Sequence, residues 1–552
     1  MFLCHNDRYP PSLAPTFDDA RGGISMSRVL GLSGGIALGA RASSSTRRAA
    51  RLSTPRVTVE SASKSIGCGL SASPSVVRLE CLRVCSPAPP GQRQRCAVVA
   101  AAAAAAPGPE DNTSVPTPNP APPVKKKRAF IPALDSTRFF LISYIAVGHF
   151  IACCTRDVFT LKLLSQVNVV VGAFFVLSGY VVAYTCTELG KYEASPRVSP
   201  APAFIASRVM GYYPLYFLAQ CIFGWVFAYA DNLYNGPVAT AGHALITFTL
   251  TQAWFPAHAE LWNAPTWFLS ALTFATMALP FSLPAIAKWR ARGLRVAMGV
   301  LFLVSLLMKL AYSYDTGSWG FMEGMMAPKT HPNWMFWNAT RFSPFAALID
   351  VLIGCVACRM VTVRECLPSE DPDFEQEQLR GVGVLLGGAP GTRAASPAVP
   401  LVGMLLVITA RAFGWLAVND ALTRTLLFVP LFTSFVMRVH QQTVYADLPA
   451  AEAGTKGYNS FSKLLGAKPL VYLGAISFPI YILHGPIGQI FYKRAVAAKL
   501  WNGVVFTKYP EFFPAYLLLV LLAAVATHEG FMKNKKIQTW FQEKGQEIAK
   551  NF

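Results

Sequence analysis

Two residues in one long apolar stretch, DSTRFFLISYIAVGHFIACC, have side chains that could do chemistry: Arg138 and His149. Ionisable groups inside a membrane-length segment are costly and mark function by default. In a helix their separation of 11 positions leaves the two within roughly 20° of one face and about 16 Å apart along the axis. An arginine at the mouth of a channel suits an anionic group. A histidine deep on the same face suits proton transfer near neutral pH. Taken singly, Arg138 would be a snorkelling anchor and His149 a helix–helix hydrogen bond.

Other polar residues in apolar stretches are fewer. Asp350 has no evident structural excuse and is expected to line a cavity. Ser178, followed by Gly179, reads as close helix packing rather than as a nucleophile, since no Gly-x-Ser-x-Gly elbow is present. Trp262 and Trp267 suit an interfacial aromatic belt or a substrate contact equally. Cys355 and Cys358 form a Cys-x-x-Cys, but inside an apolar helix and without histidines at zinc spacing, so packing is expected and no metal site.

The elements that must position these residues follow from composition. Of the 552 residues 53% are hydrophobic and 14% charged, against about 25% charged in soluble proteins. Apolar runs near 136–154, 166–187, 208–230, 264–284, 294–313, 341–360, 399–418, 421–439, 470–492 and 514–532 reach or approach the roughly 20 residues a spanning helix needs. The expected fold is therefore all-α, a polytopic bundle of about ten transmembrane helices. The run near 243–254 is shorter and is expected to be re-entrant or interfacial. Loop charge agrees: Lys191, Arg197, Lys288–Arg295, Arg438, Lys456–Lys468 and Lys533–Lys536 fall on one side with both ends of the domain, while 231–263 carries no Lys or Arg. Lys493, Arg494, Lys499 and Lys508 break that pattern.

Residues 1–107, rich in Ser, Arg and Ala and poor in acids, read as an organelle transit peptide, with plastid import expected; a retained disordered extension is the alternative. A Pro-rich basic linker over 108–134 leads into the membrane domain, 135–535, within which 361–398 is expected to be a disordered loop. A short polar tail, 536–552, follows. The net charge of +20 does not indicate nucleic acid, because half of it lies before residue 129 and no basic stripe with interleaved aromatics is present. The expected partners are the lipid bilayer and small substrates.

Five segments, in order, resemble the acyltransferase-3 family of membrane acyltransferases: Arg138 and His149 with ten residues between them in the first span, GAFFVLSGYVVAY (172–184), SRVMGYYPLYFLA (207–219), NAPTWFLSALTF (263–274) and LGAISFPIYILHGPI (473–487). The resemblance covers about 135–535. It implies transfer of an acyl group, usually from acyl-CoA as co-substrate and with no tightly bound cofactor, to a hydroxyl acceptor, often on a carbohydrate or lipid-linked molecule. On this reading His149 and Arg138 are catalytic, and Arg208 meets coenzyme A phosphates unless it is a topological anchor. His484 is a second proton-handling residue. Glu529 sits where the family often has an acid and could pair with a lysine of the tail. Two departures stand out: Leu272 and Thr273 replace a common acidic pair, and Gly172 replaces a common acid. Two rival readings are a proton-coupled transporter, which should show broken helices in two matched halves that the sequence lacks, and a catalytically inactive homologue.

Overall fold

The computed structural model describes residues 128–325, 331–366, 396–444 and 459–551. The expected leader, most of the linker and the bulk of the 361–398 loop lie outside the described residues. Among the described residues the secondary structure is helical, apart from an isolated bridge between Thr187 and Ala194.

Among the described residues eight helices are long and apolar enough to cross a membrane: α1 (Pro132–Cys153), α2 (Val158–Cys186), α3 (Tyr213–Phe248), α4 (Ala264–Lys288), α5 (Ala291–Thr316), α6 (Trp334–Thr362), α8 (Asp420–Val444) and α10 (Pro510–Met532). Between α8 and α10 lies α9, built of Lys468–Ala475 and Ser477–Tyr492 with a 52° bend between them. The remaining expected span is the 16-residue helix α7 (Ala398–Phe413), about 24 Å long. Contacts between helix ends sort the bundle into two faces. On one, Tyr184 donates to the Ala129 carbonyl (2.9 Å), Arg359 to those of Lys191 (2.9 Å) and Ala287 (2.8 Å), Arg438 to that of Ser396 (3.0 Å), and Ser136 to that of Leu465 (2.5 Å). On the other, Asn168 meets Glu323 (2.6 Å), Gln166 reaches Ile408 (2.8 Å) and Gln489 reaches Trp262 (2.7 Å). α7 starts beside Arg438 and ends beside Gln166, so it joins the two faces despite its length. The first face carries the loops rich in Lys and Arg and is called the basic face below.

The 243–254 run is not a span of its own. Gly236 adopts φ +77° and Pro237 follows, so the chain reverses and the end of α3 folds back on its beginning. Tyr216 donates to the Thr247 carbonyl (2.6 Å) and His243 pairs with Asp231 (2.9 Å). Among the exceptional cations, Lys493 is half-buried near Asp231, whose charge partly offsets the downward push of burial on its amine.

The tightest crossing is that of α2 with α6. A Cβ on Gly179 would strike the Val351 carbonyl, and one on Gly354 would strike that of Val176. Two reciprocal glycines thus let the backbones touch, as small residues do where lipid gives helices no hydrophobic drive to associate. Cys355 is buried in this crossing, its thiol 3.3 Å from the Gly179 carbonyl, in keeping with packing. The tail is not merely polar. Residues Lys535–Ala549 form an amphipathic helix whose Gln546 bonds the Ala203 carbonyl (3.0 Å) of the short helix Ala201–Val209 on the basic face.

Candidate active site

α1 and the second half of α9 meet at two histidines. His149 Nδ1 lies 2.9 Å from His484 Nε2, and the rings are parallel to within 4°. His484 Nδ1 lies 3.1 Å from the Ile480 carbonyl of its own helix. A carbonyl only accepts, so Nδ1 of His484 carries the hydrogen and, in the neutral ring, its Nε2 is a bare acceptor. His149 must then donate from Nδ1, which leaves its own Nε2 unprotonated. One backbone carbonyl therefore sets the tautomer of both rings and presents His149 as a base. Tyr516, donating to the His484 carbonyl (3.0 Å), ties α10 to the same turn.

His149 lines a cavity of about 330 Å³. Near the basic face its wall includes Asp135 and Arg138; toward the other face it includes Glu260 and Arg341; between them lie Ser178, Trp267, Leu272 and Tyr481. Span order explains this spread, because α1 begins on the basic face while α4 and the membrane-crossing part of α6 begin on the other. Segment 262–267, entering α4, is clamped on α9: Asn263 donates to the Ile482 carbonyl (2.9 Å), Tyr481 to that of Pro265 (2.7 Å) and Gln489 to that of Trp262. This interlock holds Trp267 at the cavity wall, its ring edge-on to Phe342 at 4.9 Å.

The expected site residues divide. His149, Arg138, Ser178 and Trp267 line the cavity, and His484 stands directly behind His149. The Ser178 hydroxyl donates to the Phe174 carbonyl (2.7 Å) of its own helix, as helical serines do. Asp350 does not line the cavity. It is buried against Arg424, with which it forms an ion pair, so its excuse is structural. The Arg424 side chain crosses Gly172, where a Cβ would come within 2.6 Å of its Nε; the residue that replaces the family's acid makes room for a cation neutralised from α6 instead. Arg208 also lies off the cavity, on the basic face, donating to Thr185 Oγ1 (3.1 Å) and Cys186 Sγ (2.9 Å). Glu529 is exposed and pairs with Lys533 (2.7 Å), just past α10 and short of the tail. Of the departures in α4, Leu272 faces the cavity and Thr273 meets the Tyr212 hydroxyl at 2.8 Å.

Several wall residues escaped the sequence reading. Asp135 forms an ion pair with Arg138 one turn away, and its i,i+3 spacing was a usable signal. Glu260 and Arg341, paired at 3.2 Å, stand 81 positions apart at helix entrances, where no local pattern joins them. Glu323, from the loop after α5, backs this pair: it lies 3.2 Å from Arg341 and accepts from Asn168 and Tyr312 (3.3 Å). Burial and the nearby Asp420 charge push its carboxyl up to about 7.

A helical bundle whose apolar spans surround a cavity lined by His149 defines a polytopic membrane protein. The family model described as an acyltransferase domain, that of the acyltransferase-3 family, matches residues 131–529, and the chain belongs to that family. No curated protein and no solved structure matches it. The chain is a multi-pass membrane acyltransferase.

Proposed function

We propose that the protein transfers an acyl group from acyl-CoA to the hydroxyl of an acceptor such as a carbohydrate or a lipid-linked molecule, with His149 as general base. The observation that carries this reading is the hydrogen-bond chain from the Ile480 carbonyl through His484 to His149, which leaves a lone pair at the cavity. His149 Nε2 takes the proton of the acceptor hydroxyl as its oxygen attacks the thioester carbonyl. The C–S bond then breaks, and the coenzyme A thiolate takes that proton from the imidazolium, giving free thiol and ester. His484 Nε2, receiving the Nδ1 hydrogen of His149, stabilises the imidazolium between these steps. Arg138, at the basic-face mouth, exchanges Asp135 for an anionic part of the donor, and Arg208 supplies a further cation on that face. The Ser/Arg/Ala-rich leader supports a plastid membrane as the destination.

Purified protein in lipid nanodiscs, given radiolabelled acyl-CoA and a panel of hydroxyl acceptors, tests the reading. Replacing His149 by Ala should lower acyl transfer by about 10²–10⁴-fold, the usual contribution of a positioned general base. Transfer unchanged by the substitution would sink it.

A further inference from the structure

The cavity has a second polar end that the reaction as described does not use. There Arg341 and Glu260 both line the wall and pair at 3.2 Å. The pair is incomplete: Arg341 Nη1 is buried and has no hydrogen-bond partner, and Nε, 3.2 Å from Glu323, makes none of good geometry. A buried donor left unmet costs about 1–3 kcal/mol, which a ligand oxygen settling beside it would recover. The charges nearly cancel. Glu260 balances Arg341, and burial raises the carboxyl of Glu323 behind them to about 7, which lessens its charge. An anionic ligand would meet Glu260, and a cationic one would meet Arg341, so neither is favoured. A hydroxyl suits both, because it accepts from guanidinium and donates to carboxylate. Trp267, fixed on the same wall, offers a flat apolar face to the carbon side of such a group.

We propose that Arg341 and Glu260 determine acceptor specificity, by holding an uncharged acceptor through a second hydroxyl beside the one presented to His149. The inference rests on the acyl-transfer reading for the word acceptor, but the binding it requires does not depend on turnover. The donor enters at Arg138 on the basic face, and the acceptor's second hydroxyl lies at the opposite end of the cavity. An acceptor with a single hydroxyl would leave the Arg341 donor unmet and be used less well.

The test compares a polyol probe, methyl glucoside, with a mono-alcohol, 1-hexanol, on nanodisc-embedded wild type, Glu260→Gln and Arg341→Lys. Binding is read as ligand-induced thermal stabilisation, and transfer as labelled ester formed from acyl-CoA. Wild type should be stabilised by methyl glucoside more than by hexanol. Both variants should lose that preference, raise the KM for the polyol by about tenfold or more and leave the KM for acyl-CoA unchanged. Equal loss toward both alcohols, an altered donor KM, or polyol binding untouched by both substitutions would overturn the proposal. If selective binding is present and lost in the variants while no ester forms in wild type, the subsite stands and the acyl-transfer reading falls.

Discussion

Replacing His484 by Phe removes the acceptor for His149 Nδ1 while keeping an aromatic ring in the same buried space. His149 would then have a buried N–H without a partner, a situation worth about 1–3 kcal/mol. The ring relieves it by moving its hydrogen to Nε2, where cavity groups can receive it, and in doing so gives up the lone pair needed for catalysis. A bias of that size between tautomers corresponds to a fall of about 5–150-fold in kcat, at 1.36 kcal/mol per factor of ten. Removal of His149 itself should cost more, since the base is then absent rather than misprotonated. His484→Gln separates orientation from packing: its amide oxygen can accept from Nδ1, and activity should return to within several-fold of wild type. The assay is thiol release from acyl-CoA in nanodiscs with saturating acceptor, with the donor KM measured in parallel. Wild-type kcat in His484→Phe would refute the tautomer argument. An equal loss in Phe and Gln variants, accompanied by a lower melting temperature, would show that His484 only packs.

Three further outcomes follow from the fold. Gly179→Ala places a methyl against the Val351 carbonyl, so α2 and α6 must separate; about 1–3 kcal/mol or more should be lost, visible as earlier thermal unfolding in detergent. Arg424→Met leaves the buried Asp350 carboxylate unpaired and should destabilise by about 3–5 kcal/mol, whereas Asp350→Asn with Arg424→Met should recover much of that; thermal unfolding of the single and double variants measures it. Glu323, raised from the ordinary 4.5 to about 7 by burial, binds its proton more readily folded than unfolded. Its contribution to stability is therefore present below about pH 4.5 and lost as pH rises through about 7. Melting temperature should fall over that window in wild type and fall less in Glu323→Gln.

The apolar runs, the loop charges and the shared face of Arg138 and His149 were legible in the sequence because each depends on neighbours within one helix or on the membrane itself. Lipid as solvent forces long apolar helices and sorts their flanking cations, and neither effect waits for tertiary contacts. The same locality limits what could be read. Asp350 looked like an unexcused charge because its partner, Arg424, comes from another helix 74 positions away. His149 looked like a candidate base, but only contact with α9 decides which nitrogen carries the hydrogen. The shortness of the 243–254 run showed that it is no span of its own, yet the reversal at Gly236 and its direction needed Asp231 and His243 to meet. Glu260 and Arg341 left no trace at all, since two helix entrances far apart in sequence become one end of a cavity only when the bundle assembles. What the sequence by itself determined is a membrane bundle with a histidine and an arginine on one face of its first span; what packing alone decided is the hydrogen-bond partner of that histidine and the company it keeps at each end of the cavity.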